Sequence, residues 1–137
     1  MITAKVTDSQ ISAQLLAAEV KSDAAGALIT FSGDVRNHDK GREVSALKYE
    51  VHPSAQSVIE KLVNEIAAKY QISSLAVAHR YGQIPIGETA FAVAVSASHS
   101  ADAFACCQEV VAKVKAELPI WKFQEFSDGT NEWVNSA

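Results

Sequence analysis

The chain has 137 residues, enough for one ordinary domain, and 48% hydrophobic against 20% charged residues lets it bury a real core. A formal net charge of −4 argues against nucleic acid as the main partner, because phosphate binding needs a basic face, although local basic pockets stay compatible with an acidic whole. No run approaches the roughly 20 apolar residues that span a bilayer, and MITAKVTDSQ lacks a charged-then-apolar signal pattern, so a cytoplasmic protein is expected.

Ile2 to Val6 alternates and is short, which predicts an edge strand. Asp8 or Ser9 can cap a helix reaching about Val20, with Ile11, Leu15, Leu16 and Val20 on one face. After a polar turn, Ala27 to Ser32 reads as a buried strand. Gly33 to Glu43 is the longest unstructured polar stretch, and loops on rigid scaffolds often carry function. Ser45 to Val51 is a further strand, ended by Pro53. Ser54 then caps a helix to about Tyr70, striped by Val58, Ile59, Leu62, Val63 and Ile66 at spacings of three and four. Leu75 to Tyr81 is a strand, Gly82 to Gly87 a turn or bulge, and Glu88 to Ala97 a central strand with apolar residues on both faces. A third helix runs from about Ala101 to Leu118, with Phe104, Cys107, Val111, Val114 and Leu118 as its stripe. Trp121 to Phe126 and Glu132 to Val134 make a hairpin around Ser127-Asp128-Gly129. The order β-α-β-β-α-β-β-α-β-β predicts one α+β domain over residues 1–137, with helices packed on a mainly antiparallel sheet.

The richest chemistry surrounds Leu118-Pro119-Ile120-Trp121-Lys122. Pro119 ends the third helix, which puts Lys115 on its last turn and Lys122 beyond a fixed corner. Two ammonium groups close together make a candidate anion site, which Arg36, in Val35-Arg36-Asn37-His38, and His99 could complete. Each also has a plainer explanation. Lys115 can complement the negative helix end, Lys122 can be solvated, Arg36 can pair with an acid of its own loop, and His99 can be a polar cap. Cys106 and Cys107, adjacent in a helix, point apart and read as buried small hydrophobes. His38, His52 and His79 lack partners at metal spacing, so no metal site is expected. No Gly-rich phosphate loop or Ser-His-Asp order is present.

Five segments, ALITFSGDVRNHDKG, LKYEVHP, AVAHRYGQIPIGE, VAVSASHSADAFACC and KAELPIWKFQEFSDGTNEWV, together resemble the large, catalytic subunit of molybdopterin synthase over about residues 24 to 134. The resemblance implies an α/β hammerhead-type fold and a sulfurtransferase of molybdenum cofactor biosynthesis. A small ubiquitin-like partner would carry a C-terminal Gly-Gly thiocarboxylate into a pocket on this subunit. Its sulfur would pass, in two rounds, to cyclic pyranopterin monophosphate, building the dithiolene of molybdopterin. The resemblance also implies a homodimer of large subunits inside a heterotetramer, with no metal or organic cofactor. The family's loop arginine falls on Arg36, its histidine before the third helix on His99, and its two lysines on Lys115 and Lys122. Lys115 is implied as the group at the acyl carbon, and Lys122 as catalytic or orienting. Arg36 and His99 are implied as holders of the substrate phosphate, with Asp34, Val35 and Ser100 beside them.

This sequence departs from the family in three places. Ser100 stands where an arginine often follows the histidine, Asp34 where a lysine is often found, and the chain ends at Ala137, short of a basic tail present in longer members. These departures keep a second reading open: a non-catalytic dimeric module binding a partner's tail or a small anion. A third, an unrelated α+β enzyme acting on a phosphorylated metabolite, needs an acid–base pair that is not evident. Retention of Arg36, His99, Lys115 and Lys122 together favours the enzyme.

Overall fold

In the computed structural model, which describes residues 1–135, these runs become β1 (Ile2–Thr7), α1 (Ala13–Val20), β2 (Ala27–Asp34), β3 (His38–Asp39), β4 (Arg42–Val51), α2 (Ala55–Ala67), β5 (Ser74–Arg80), β6 (Gly82–Ile84), β7 (Thr89–Ala97), α3 (Ser100–Glu117), β8 (Ile120–Phe126) and β9 (Asn131–Val134). The chain end at Ala137 lies outside the described residues. The fold class is α+β, as the order of helices and strand pairs predicts. Two sheets share the strands. The first has the order β1-β5-β7-β2, with β1 parallel to β5 and the other pairs antiparallel. The second runs β3-β4-β8-β9, with β6 also on β4, and every pair in it is antiparallel.

β7 is central, because eight of its nine residues are buried and need cover on both faces. Ile59 and Val63 of α2 and Val110 and Val114 of α3 meet Leu75, Val77, Val93 and Val95 on one face. On the other, Ala76, Ala78, Ala92 and Ala94 form a flat patch that receives Ile11, Leu16 and Val20. Alanine there lets the short α1 lie close to the sheet.

Four expectations need correcting. α1 starts at Ala13 rather than near Ser9, since the cap is Ser12, whose Oγ accepts the Leu15 N–H at 3.0 Å. Leu15 consequently faces solvent, 65% exposed. The stripe of α3 holds at Cys107, Val114 and Leu118, which are buried, but Ala103, Cys106 and Val110 are buried beside them and Phe104 is 61% exposed. The stretch from Gly33 to Glu43 is not structureless, because β2 runs to Asp34 and β3 folds back on Arg42 and Glu43. Ser54 makes no side-chain cap hydrogen bond; its Oγ instead meets His52 Nδ1 at 2.8 Å.

Replacing Ser12 with alanine removes the one side-chain acceptor at the start of α1. The expected loss of stability is about 1 kcal/mol, read as a lower urea midpoint with an unchanged slope. An unchanged midpoint would show that the cap is not needed. Among the described residues, no helix is long and apolar enough to cross a membrane.

Candidate functional site

The corner at Pro119 forms as its chemistry dictates. α3 stops at Glu117, Leu118 is already extended (φ −67°, ψ 125°), and its N–H closes on the Val114 carbonyl. Leu118 and Val114 are buried, so they anchor the helix end and leave Lys115 exposed on its last turn. β8 begins at Ile120. Alternation then puts Ile120, Lys122, Gln124 and Phe126 on one face, with Lys122 opposite Tyr49 and Gln124 opposite Leu47 in β4.

Arg36 arrives from the end of β2. The register of β2 against β7 shifts between Gly33 and Asp34. Backbone bonds then fasten Val35, its N–H donating to the Glu88 carbonyl at 2.9 Å and its carbonyl accepting from Gly87 at 2.8 Å. Gly87 sits at φ 89°, a conformation that favours glycine. Val35 is buried, and Arg36 projects from it with its side chain 63% exposed. The next turn, Lys40-Gly41, has φ values of 50° and 78°, the paired positive angles of a tight hairpin.

These segments enclose a cleft of about 380 Å³, whose walls include Asp34, Val35, Arg36, Lys115 and Lys122. Its floor is aromatic: His79 stacks on Phe91 at 5.3 Å and meets Tyr49 edge-on at 5.0 Å. Burial pushes the Tyr49 hydroxyl up to about 12 and the His79 imidazole down to about 4. Burial also lowers the Lys122 ammonium. Arg36 and Lys115 push it the same way, while Asp39 and Glu132 pull it up. Asp34 lines the same cleft but is bonded to hydroxyls: its Oδ1 accepts from Ser32 at 2.6 Å and from Thr89 at 2.8 Å.

Two polar residues of this site were not singled out from the sequence. Gln124 Nε2 donates to Asp39 Oδ2 at 2.9 Å and to Glu132 Oε1 at 3.1 Å, and Asp39 Oδ1 lies 3.4 Å from Arg36 Nη2. Period-two alternation from Lys122 points to Gln124. Nothing local points to Asp39, whose partner is 85 residues away.

His99 and Ser100 lie elsewhere in the single chain. His99 is the exposed N-cap of α3, with no side-chain cap bond, and lines a different hollow of about 500 Å³ with Gln71, Ser73 and Asp102. At about 1.5 Å per residue, α3 holds it about 24 Å along the axis from Lys115. One chain therefore brings together Arg36, Lys115 and Lys122, flanked by Asp34 and Val35, but not His99 or Ser100. Among the described residues, no three His, Cys, Asp or Glu side chains are grouped to hold a metal ion.

Fold and cleft together define a small α+β domain that gathers three cations between a helix end and a sheet, above an aromatic floor. The family model described as MoaE protein matches residues 6–117. The chain belongs to the MoaE protein family. It is 42% identical over 111 residues to the molybdopterin synthase catalytic subunit of Oryza sativa subsp. indica, covering 80% of this chain and 58% of the rice one. It is 35% identical over 130 residues to the subunit of the same name from Thermoplasma volcanium, covering 94% and 95% of the two chains. The crystal structure of molybdopterin synthase from Staphylococcus aureus superposes with a TM-score of 0.84 at 27% identity, over 94% of each chain. The chain thus spans less than two thirds of the rice relative's length and nearly all of the archaeal one.

Proposed function

We propose that this chain is the catalytic subunit of a molybdopterin synthase. As a single domain, it takes sulfur from the thiocarboxylated Gly-Gly terminus of a small ubiquitin-like partner and transfers it to cyclic pyranopterin monophosphate. The observation that carries this reading is the convergence of Arg36, Lys115 and Lys122 on one cleft in a chain of this family. Transfer from a thiocarboxylate builds negative charge on the acyl oxygen and ends in a carboxylate. A fixed cation placed where that charge develops lowers the barrier. Lys115, on an anchored helix end, is assigned that place. Lys122 orients the tail and the pterin. Arg36, with a fork suited to phosphate, holds the cyclic phosphate.

His99 reaches the reaction from a second copy. The homodimer sets the N-terminus of one α3 beside the cleft of the other, and a small partner seats at each end to make a heterotetramer. Ser100 contributes a hydroxyl there but no charge. The setting proposed is the cytoplasm, in keeping with two buried cysteines that are both free.

The test is complementation. His99→Ala and Lys115→Ala variants are each assayed for dithiolene product with thiocarboxylated partner and cyclic pyranopterin monophosphate, then mixed as reassembled dimers. Mixed dimers pair an intact Lys115 with an intact His99 at one of two sites. A random mixture should regain about a quarter of wild-type activity, as follows from two-fold symmetry. No recovery would confine His99 to its own chain or remove it from the reaction. Absence of product from the wild type would favour the binding module.

A further inference from the structure

Asp39 is a carboxylate at the edge of the cleft, bonded to two of its lining residues, Arg36 and Gln124, while the other carboxylate there, Asp34, is tied to the hydroxyls of Ser32 and Thr89. The Asp39 side chain is only 18% exposed, and it is held from two sides, by Gln124 Nε2 at 2.9 Å and by Arg36 Nη2 at 3.4 Å. The two holds differ in kind. Gln124 is buried and is itself fixed by Glu132, so its amide pins Asp39 whatever Arg36 does. The Arg36 end is loose, a long contact from a guanidinium that is 63% exposed, and such pairs contribute little to stability. Arg36 can therefore leave while Asp39 stays. The Gln124 amide, then Lys122, Arg36 and Lys40 nearby, also keep the Asp39 carboxyl below its ordinary range, against the opposing effect of burial.

We propose that Asp39 is a built-in counter-anion: it parks Arg36 in the ligand-free protein, releases it to an incoming phosphate ester, and by its own charge keeps the cleft's hold on anions weak enough for turnover. The proposal rests on reading this cleft as the anion site of the reaction above. That reaction brings one anion in on the pterin and leaves a second, the carboxylate of the spent partner tail. Without the Asp39 charge beside them, the three cations would hold both more tightly. Asp39 stands beside Arg36 and Lys122, where it opposes such retention.

The variant Asp39→Asn keeps the shape and can still meet Gln124, but removes the charge. Binding of inorganic phosphate is measured by calorimetry at low, constant ionic strength. Asp39→Asn should bind about fivefold to tenfold tighter than wild type, with the gain shrinking as salt is added. Glu65→Gln, which makes the same change of net charge on an exposed face of α2, should bind like wild type. In sulfur transfer, Asp39→Asn should lower KM for the pterin and lower kcat with it, because release becomes slow. Unchanged or weaker phosphate binding in Asp39→Asn would overturn the proposal and leave Asp39 as a prop for Arg36. Equal tightening in Glu65→Gln would overturn it in favour of a bulk charge effect. The wild-type transfer assay separates the two layers. Transfer with no phosphate shift sinks the counter-anion alone; a phosphate shift without transfer sinks the proposed reaction alone.

Discussion

Lys115→Ala is expected to lower kcat/KM for sulfur transfer by about 10² to 10³ while leaving the fold intact. The size of the effect follows from placement. Val114 and Leu118 are buried on either side of Lys115, and the Leu118 N–H is tied to the Val114 carbonyl. The lysine stem therefore starts from an anchored backbone at the cleft wall, and a cation delivered from a fixed point to the reacting centre is the kind whose loss costs most. The residue is exposed, so alanine opens no cavity in the core and suits a helix well. Unfolding midpoints should agree with wild type within about 0.5 kcal/mol. Lys113→Ala is the comparison, because that lysine shares the helix but pairs at 3.6 Å with Glu117 on the surface. It should transfer sulfur normally. Near wild-type turnover by Lys115→Ala would remove Lys115 from the mechanism.

The second large effect belongs to His79 and is read in stability. The residue is 1% exposed, its ring packed between Tyr49 and Phe91, with Nδ1 2.9 Å from the Arg80 carbonyl. Burial holds its folded value near 4, against 6.5 for a free imidazole. The sign follows directly. Between those values the unfolded chain binds a proton that the folded chain refuses, so acid favours unfolding. The stability present above pH 6.5 is lost as pH falls toward 4. Going from pH 7 to pH 4.5 should cost the wild type about 2 kcal/mol through this residue alone. His79→Phe keeps the stacking on Phe91 and loses the proton site. It should start less stable, having lost a hydrogen bond, yet fall less steeply with acid by that amount. Urea unfolding at the two pH values measures the difference. Parallel losses in both proteins would mean that His79 gains a proton without unfolding the chain.

The fold was legible where one face of an element is apolar and the other is not. α2 shows this best: Ile59, Val63 and Ile66 were expected inward and are inward. β7 was readable for the opposite reason, since a run that is apolar on both faces must be central. α3 misled only at its start, where small Ala103 is buried and a large apolar residue, Phe104, lies outside. Size and burial point in different directions there. β3 and β6 escaped because two or three residues carry no period. At the site, the cations could be named from sequence, since Pro119 fixes where the helix must stop. Their neighbours could not. Asp39 and Gln124 meet across 85 residues, and His79, which the sequence shows only as a histidine without partners at metal spacing, is part of the floor. Such contacts depend on strand register, which local patterns do not contain.

β1 has a consequence for the order in which the molecule comes into being. It lies parallel to β5, Ile2 opposite Leu75 and Thr7 opposite Arg80, and among the described residues no other strand lies beside it. Once made, β1 thus waits for its partner strand until the more than sixty residues that separate it from β5 have followed. Closing a loop of about 70 residues costs about 4 kcal/mol of chain entropy before any contact repays it. Folding speed should accordingly be that of a slow, non-local topology, despite three helices that could form early. A nascent chain halted before β5 would keep β1 open to any other edge it met.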